Sequence, residues 1–249
     1  MQIYSGTGVT NFTSAPITKS PDSLIITMPK AVSALSNELI TIWVERQSGQ
    51  NIYLATKVKL RHFIMACLSA QLSQSQLHGS NTVVAIDMGL EAALKLATSE
   101  KMYVRIEGVQ TSETWSLNVT EGREVSTQHI NFDYKSMLTG EQEKSFNVSN
   151  HEIAVFEVPE ELNEIGLVRG TVEQRFTPFE LSVLQKEDFP VLGYTATGVI
   201  PADSAILVLP LQGIDAINFY KDTDGIIGMT LMNYGQLVSP SKAATLKVR

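Results

Sequence analysis

The stretch that decides the fold runs from Glu38 to Leu68 and reads ELITIWVERQSGQNIYLATKVKLRHFIMACL. It contains two alternating runs, joined by the polar residues and glycine of Gln47 to Gln50. Alternation with a period of two is typical of strands with one buried and one solvent-facing side, so we predict a β-hairpin. The second run, Ile52 to Leu68, contains no Pro or Gly and is longer than most strands. We therefore expect it to bend or to break into two strands.

Further short apolar or alternating runs lie on both sides of this hairpin, with polar turns between them. Many short strands at roughly eight-to-twelve-residue spacing are typical of a β-sandwich or a barrel. We predict strands at 24–28, 82–87, 101–107, 115–120, 153–158, 165–176, 193–200, 205–211, 216–220 and 226–233.

Two helices are predicted among these strands. From Gly89 to Glu100 the apolar residues recur at i, i+3, i+4 and i+7, which indicates a helix lying on a sheet. Thr177, Pro178 and Glu180 have the spacing of a capping box, so a second helix should begin at Pro178 and end near Glu187.

A polar stretch from Glu121 to Asn150 separates two β-rich halves, and we place the domain boundary at about residue 125. Residues 1–23 and 239–249 are predicted to be an N-terminal and a C-terminal arm, because polar residues predominate in both. The predicted domains are then 24–125 and 126–238.

Composition excludes several function classes. Only 18% of the 249 residues are charged, below the roughly 25% of an average soluble protein, so much of the surface is neutral or is buried against other copies. The net charge of −7 argues against sequence-specific nucleic-acid binding. The single cysteine, Cys67, is interpreted as a small core residue in a reducing compartment. The amino end lacks the basic and apolar regions of a signal peptide, so we expect no export by a cleaved signal.

No catalytic signature is found. The four histidines, His62, His78, His129 and His151, lack the spacing of a metal site. We interpret His62 as a satisfied core or inter-subunit group, and Asp222 to Gly225 as a turn rather than a calcium loop. We therefore predict no catalytic, cofactor-binding or metal-binding residues, and a protein that is not an enzyme.

Three aromatic residues remain as candidates for a sugar-binding face: Trp43, Tyr53 and Trp115. Trp43 and Tyr53 flank the hairpin turn and are expected to meet across it. Core or cross-strand packing is the more ordinary role of such rings. A receptor- or carbohydrate-binding β-sandwich, such as a spike or lectin-like module, is nevertheless the alternative function.

The organisation of the chain resembles that of the double jelly-roll major capsid proteins of tailless icosahedral bacteriophages, in particular the compact ones of phages with an internal membrane. The features that carry the resemblance are two β-rich halves with one short helix each, polar terminal stretches and low charge. Local similarities are Gly89 to Leu94, as a helix between strands, and Leu209 to Gly225, as a late strand and turn.

The resemblance implies a mainly β fold of two tandem jelly-roll sandwiches, with a homotrimer forming a pseudo-hexagonal capsomer of the virion. It also implies contacts with neighbouring capsomers, with penton and minor capsid proteins and with the internal membrane, and assembly in the host cytoplasm. The two halves share no sequence repeat, and the helices predicted near residues 90 and 178 fall at different depths. A single large jelly roll with an insertion is therefore the alternative fold.

Overall fold

The structure is a computed structural model that describes residues 1–78, 81–122, 124–158, 162–185, 206–222 and 224–237. Most of these residues lie in antiparallel strands, which form two jelly-roll β-sandwiches in tandem with one short α-helix each. The predicted fold class is confirmed.

The first sandwich consists of a five-stranded and a four-stranded sheet. Its elements in chain order are β1 (Gln2–Gly6), β2 (Asn11–Thr13), β3 (Pro21–Met28), a 3-10 turn (Val32–Ala34), β4 (Leu39–Glu45), β5 (Asn51–Lys59), helix α1 (Leu60–Ser69), β6 (Ser73–His78), β7 (Asn81–Asp87), β8 (Ala93–Leu94), β9 (Lys101–Glu107) and β10 (Trp115–Glu121). Sheet 1 has the order β1-β10-β3-β7-β6, and sheet 2 has the order β2-β9-β4-β5.

In the part of the chain that the structure describes, the second sandwich has two four-stranded sheets, and it follows a short strand that pairs in parallel with β8. Its elements are β11 (Val125–Ser126), which is that short strand, β12 (Gln128–Met137), β13 (Glu143–Asn147), β14 (Ile153–Glu157), β15 (Leu162–Arg169), β16 (Val172–Phe176), helix α2 (Pro178–Gln185), β17 (Ile206–Pro210), β18 (Ala216–Lys221) and β19 (Ile227–Gln236). Sheet 3 has the order β12-β19-β14-β17, and sheet 4 has the order β13-β18-β15-β16.

The two sandwiches have the same topology. Without β6 and the two-residue strands β8 and β11, each sandwich has eight described strands. When these eight are numbered along the chain, both sandwiches have one sheet of order 1-8-3-6 and one of order 2-7-4-5. Each helix follows the fifth strand of its sandwich. The helices therefore occupy equivalent places, which removes the reason for considering a single jelly roll with an insertion.

The predicted hairpin is present, but its second run ends differently from the prediction. β4 and β5 pair antiparallel, and Gly49 in the turn has a φ of 76°, a conformation that glycine adopts easily. The break falls after Lys59, where the chain enters α1 instead of a second strand. Residues Leu60 to Cys67 of this helix are all buried. An apolar run with no solvent-facing side cannot be assigned to helix or strand from its periodicity.

The helix predicted at Gly89 to Glu100 is absent, and this prediction is wrong. Leu90 and Glu91 have positive φ angles of 55° and 69°, outside the right-handed helical region. Asp87 accepts hydrogen bonds from the backbone N–H groups of Gly89 and Glu91, at 3.0 and 2.6 Å. The chain then pairs with β11 through β8. In this pairing the N–H groups of Ala93 and Lys95 donate to the carbonyl oxygens of Glu124 and Ser126, whereas in a helix they would have been bonded internally.

The second helix begins at Pro178, as predicted, and it is described as far as Gln185. Its capping box is complete. The Thr177 hydroxyl accepts a hydrogen bond from the Glu180 N–H at 3.2 Å, and the Glu180 carboxylate accepts one from the Thr177 N–H at 2.8 Å.

Residues 1–23, predicted to be an N-terminal arm, contain two strands of the first sandwich. β1 pairs with β10, and β2 pairs with β9, so both are edge strands of the first sandwich. Their apolar side chains Ile3 and Phe12, together with Ile17, are buried. The boundary predicted at residue 125 falls in β11 and stays a prediction. The predicted C-terminal arm, 239–249, and the strand predicted at 193–200 lie outside the described residues.

Candidate functional site: a helix junction and two outer sheet faces

Helix α1 joins the two sandwiches. It follows β5 of the first sandwich, and it contacts β14, β17 and β19 of sheet 3 in the second. The ring of Phe63 lies 4.8 Å, centroid to centroid, from that of Phe132 on β12. Sheet 3 is therefore buried on both faces: its inner side chains belong to the core of the second sandwich, and its outer side chains belong to the cluster around α1. The outer apolar residues are Ile130, Phe132, Ile153, Val155, Ile206, Val208 and Met232.

A small polar cluster lies within this apolar junction. His62 is fully buried, and its Nδ1 is 3.0 Å from the Thr230 hydroxyl on β19. Its Nε2 is 3.6 Å from a carboxylate oxygen of Glu157 on β14, beyond hydrogen-bond distance. Lys59 donates to the other Glu157 oxygen at 2.5 Å. The first sandwich thus contributes the cationic and imidazole groups, and the second contributes the carboxylate and the hydroxyl.

Burial and charge shift the pKa values of this cluster. Desolvation lowers the pKa of His62, which keeps its ring neutral near pH 7. Desolvation by itself raises the pKa of Glu157, but contact with His62 and the ion pair with Lys59 outweigh it and lower the pKa to about 2.

Because of this cluster, we expect the free energy of unfolding to decrease in two steps as the pH is lowered. Below about pH 6.5 the unfolded chain binds a proton at His62 that the folded chain resists. The stabilisation by Glu157 is present above its ordinary pKa of 4.5 and is lost as the pH falls toward 2. Urea unfolding at a series of pH values measures both steps.

The variant Glu157→Gln distinguishes the contribution of Glu157 to this pH dependence from that of His62. This variant should be less stable than the wild type at pH 7, and its loss of stability between pH 4.5 and pH 2 should be smaller. Parallel curves for the two proteins over that interval would contradict the role given to Glu157.

The outer face of sheet 1 corresponds to the sheet 3 face that α1 covers. Its uncharged central side chains are partly exposed: Ser23, Ile25, Thr27, Asn81, Val83, Ala85, Ser116 and Asn118. A partly exposed carboxylate, Asp87, lies on the same face at the end of β7, opposite Ser23. This face is largely neutral and only partly apolar, and it is the kind of surface that the low charge content of the chain led us to expect.

The outer face of sheet 2 carries three aromatic side chains, which we call the aromatic row: Tyr103, Trp43 and Tyr53. They occupy paired positions on the neighbouring strands β9, β4 and β5. The Trp43 ring stacks on Tyr103, with centroids 5.2 Å apart and planes 17° apart, and its centroid is 6.5 Å from that of Tyr53. The expected meeting of Trp43 and Tyr53 across the hairpin is confirmed.

Trp115, the third candidate for a sugar-binding face, is a core residue. Its side chain is 1% exposed, and its indole N–H donates to Glu113 at 3.0 Å. Glu113 also forms an ion pair with Lys30, which in turn pairs with Glu38. The buried indole therefore has a polar partner. Sequence reasoning overlooked this partner, although Glu113 stands two residues away.

The other candidates are dispersed. Cys67 lies fully buried in α1, where desolvation raises the pKa of its thiol. Asp224 accepts a hydrogen bond from the Gly140 N–H at 3.1 Å, so it stabilises a turn. His129 is buried beside Gly235. No group of three or more His, Cys, Asp or Glu side chains that could hold a metal ion is found among the described residues.

No helix in the described part of the chain is both long and apolar enough to cross a membrane.

Among solved structures, the chain is similar to the major capsid protein P2 of bacteriophage PM2. The TM-score is 0.53 with 8% sequence identity, and the match covers 96% of each chain. A turret protein, A223, of Sulfolobus turreted icosahedral virus matches with a TM-score of 0.23 and 8% identity over 94% of this chain and 95% of that one. The exported protein XepA of PBSX matches with a TM-score of 0.25 and 7% identity, over 94% and 86%. The last two scores are too low to carry an argument.

No protein-family model and no curated protein sequence matches the chain. At 8% identity, the likeness to the PM2 protein shows a viral-capsid-like fold.

Proposed function

We propose that this protein is a structural protein of a virus: a major capsid protein that assembles as homotrimers into pseudo-hexagonal capsomers of an icosahedral bacteriophage. The viral-capsid-like fold supports a role in a capsid. The observation that carries the proposal further is the contact of α1 with the outer face of sheet 3. It is a contact between two consecutive sandwiches of the same topology.

This contact is head-to-tail, because the two sandwiches present different surfaces to each other. The helix after the fifth strand of one sandwich lies on the 1-8-3-6 sheet of the next. Each chain has a second such helix, α2, and a second such sheet, sheet 1. If α2 of one copy lies on sheet 1 of another, the same kind of contact repeats around a ring. Three chains supply six sandwiches, and closure of the ring gives a six-sided unit.

The polarity of the two faces suits this arrangement. The sheet 3 face is made of large apolar side chains, as expected where both partners belong to one chain and are always buried. The sheet 1 face is largely neutral but mixes Ser, Thr and Asn with Ile, Val and Ala. Contacts between separately folded copies are commonly more polar than a protein core.

The wider context of the proposal is a location in the virion after assembly in the host cytoplasm. The partners would be neighbouring capsomers, penton and minor capsid proteins and the internal membrane. The net charge of −7 supports contacts with protein rather than sequence-specific binding of nucleic acid.

Val83→Glu tests the ring. Val83 lies near the middle of the sheet 1 face, so each trimer contact would bury one unpaired carboxylate. We expect the wild type to elute as a trimer in size-exclusion chromatography with light scattering, and to show three-lobed or six-sided particles in negative stain. The variant should need at least about tenfold higher concentration to form the trimer.

Ser145→Glu is the matched control, because Ser145 is an exposed β-strand residue on sheet 4. It should form the trimer at the same concentration as the wild type. A wild type that stays monomeric at high concentration would overturn the trimer. Equal weakening by both substitutions would overturn the role given to sheet 1.

A further inference from the structure

We propose that the outer face of sheet 2 binds a pyranose ring of a glycan beside the aromatic row. This inference rests on the geometry around Trp43, Tyr53 and Tyr103, and it holds whether or not the protein is a capsid subunit. The three rings lie in a row across three strands, with Trp43 and Tyr103 stacked on each other and Tyr53 tilted against Trp43. The Tyr53 side chain, at the end of the row, is 49% exposed. Aromatic faces of this kind stack on the C–H groups of sugar rings.

Two rings of the row, Trp43 and Tyr53, line one side of a hollow of about 310 Å³, at the lower end of the size range of small-ligand sites. Thr41, the next outward-facing residue of β4 after Trp43, is small and only 8% exposed, and it forms the floor. On the β5 side the pairing register shifts at a β-bulge, where Lys57 has a positive φ of 48°. The Lys57 N–H donates to the Thr41 hydroxyl at 3.0 Å, which holds the bulge against the floor.

A non-glycine residue with positive φ inside a strand is uncommon, and bulges are frequent next to binding and active sites. Here the bulge keeps the strand from closing over Thr41. The hollow is therefore built by the backbone as well as by the side chains.

Polar groups suited to sugar hydroxyls surround the hollow. Arg105 and Glu107 form an ion pair at 3.0 Å on the β9 side, and Asn51 and Lys57 line the β5 side. Planar guanidinium, carboxylate and amide groups can each bond two neighbouring hydroxyls. Aromatic stacking next to such groups is the chemistry that recognises a pyranose.

The corresponding sheet of the second sandwich shows that the fold does not require an aromatic row. On sheet 4, the ring of Tyr220 is covered by the guanidinium of Arg175, 3.9 Å from the ring centroid. The Tyr220 hydroxyl donates to Glu173 at 2.6 Å. This equivalent face is therefore ionic, and its tyrosine ring is not available for stacking. The three aromatic side chains belong to the first sandwich and not to the common architecture.

A glycan array tests the proposal. Labelled full-length protein is applied to immobilised oligosaccharides that include β-1,4-glucan, α-1,4-glucan, chitin oligomers and bacterial O-antigen fragments, and the strongest responder is titrated by calorimetry. We expect the wild type to bind and Tyr53→Ala to lose at least tenfold in affinity. Tyr134→Ala removes a tyrosine that is also exposed, at 44%, but lies on sheet 3, and it should bind as the wild type does.

Light scattering of the same proteins distinguishes a sugar from a second copy of the chain. Tyr53→Ala should leave the oligomeric mass unchanged. An array without binding would overturn the proposal, and so would an affinity unchanged in Tyr53→Ala. If Tyr53→Ala instead lowers the oligomeric mass and no glycan binds, the row is an interface between copies and the sugar site is wrong.

Discussion

Phe63→Ala is expected to lower the free energy of unfolding by about 3–5 kcal/mol, the usual cost of removing a fully buried phenylalanine ring. Phe63 is 0% exposed, and it lies in the middle of α1. Its ring packs on Phe132 of the second sandwich, so the truncation opens a cavity between the two sandwiches. Urea unfolding followed by tryptophan fluorescence and by circular dichroism measures the loss.

The position of Phe63 also predicts how the variant unfolds. The wild type should unfold in one transition, because α1 couples the two cores. In Phe63→Ala the coupling is weaker, and the two probes should separate. Both tryptophans, Trp43 and Trp115, lie in the first sandwich, so fluorescence follows that half, whereas circular dichroism follows both.

Tyr134→Ala is the control for ring removal, because Tyr134 is 44% exposed, and it should cost less than about 1.5 kcal/mol. A loss below this value in Phe63→Ala would show that α1 is not the packing link between the halves.

Lys30→Met is expected to cost about 3–5 kcal/mol, as removal of one partner from a buried ion pair usually does. The Lys30 ammonium lies 2.5 Å from a carboxylate oxygen of Glu38 and 2.5 Å from one of Glu113. The three side chains are 14%, 3% and 13% exposed. Without the ammonium, the buried Glu38 carboxylate and the partly exposed Glu113 carboxylate would face each other with no cation between them.

The loss of stability caused by Lys30→Met should be smaller at low pH. Desolvation by itself raises the pKa of Glu113, but hydrogen bonds from Lys30 and Trp115 outweigh it, so its pKa in the wild type is lowered. The wild type thus gains stability from Glu113 above the ordinary pKa of 4.5 and loses it as the pH falls below that value. In Lys30→Met a carboxyl can take up a proton at higher pH, which relieves the repulsion. The unfolding free energies of the two proteins should therefore converge between pH 7 and pH 4.

The double variant Lys30→Met/Glu113→Gln tests the cause of the effect. It retains one carboxylate, Glu38, which still accepts hydrogen bonds from the N–H groups of Ser36 and Asn37. Its loss of stability should be smaller than the sum of the losses of the two single variants. Additive losses would mean that Lys30 stabilises the fold by packing alone.

The hairpin and the second helix could be predicted because each has a local cause. Alternation and a glycine turn specify β4 and β5, and Thr177 with Glu180 specifies the start of α2. Neither depends on distant parts of the chain.

Helix α1 could not be predicted, because it is buried on every side. Such a helix has no polar face, so its sequence does not show the alternation of apolar and polar faces that identifies a surface helix. Residues 89–100 show the opposite case: the sequence has a helical pattern, but the N–H groups of Ala93 and Lys95 bond to the β11 segment instead. Propensity and periodicity are weak where distant segments supply the hydrogen bonds.

The sequences of two strands, β14 and β17, contain evidence for the packing of α1 on sheet 3. β14 reads IAVFE and β17 reads ILVLP, and four successive residues of each strand are buried. A strand at the surface of a sandwich alternates, whereas a strand covered on both faces is continuously apolar. These two runs could have predicted a third layer over sheet 3, although not that α1 supplies it.

The place of α1 has a consequence for the nascent chain. The ribosome makes α1 long before it makes β14, β17 and β19, the strands that cover it. Until those strands emerge, the apolar side of a fully formed first sandwich faces solvent. Transiently exposed apolar surface is a common cause of aggregation during synthesis, especially in proteins rich in long-range strand pairs. The element that holds the finished molecule together is therefore also the surface that a chaperone would have to shield during translation.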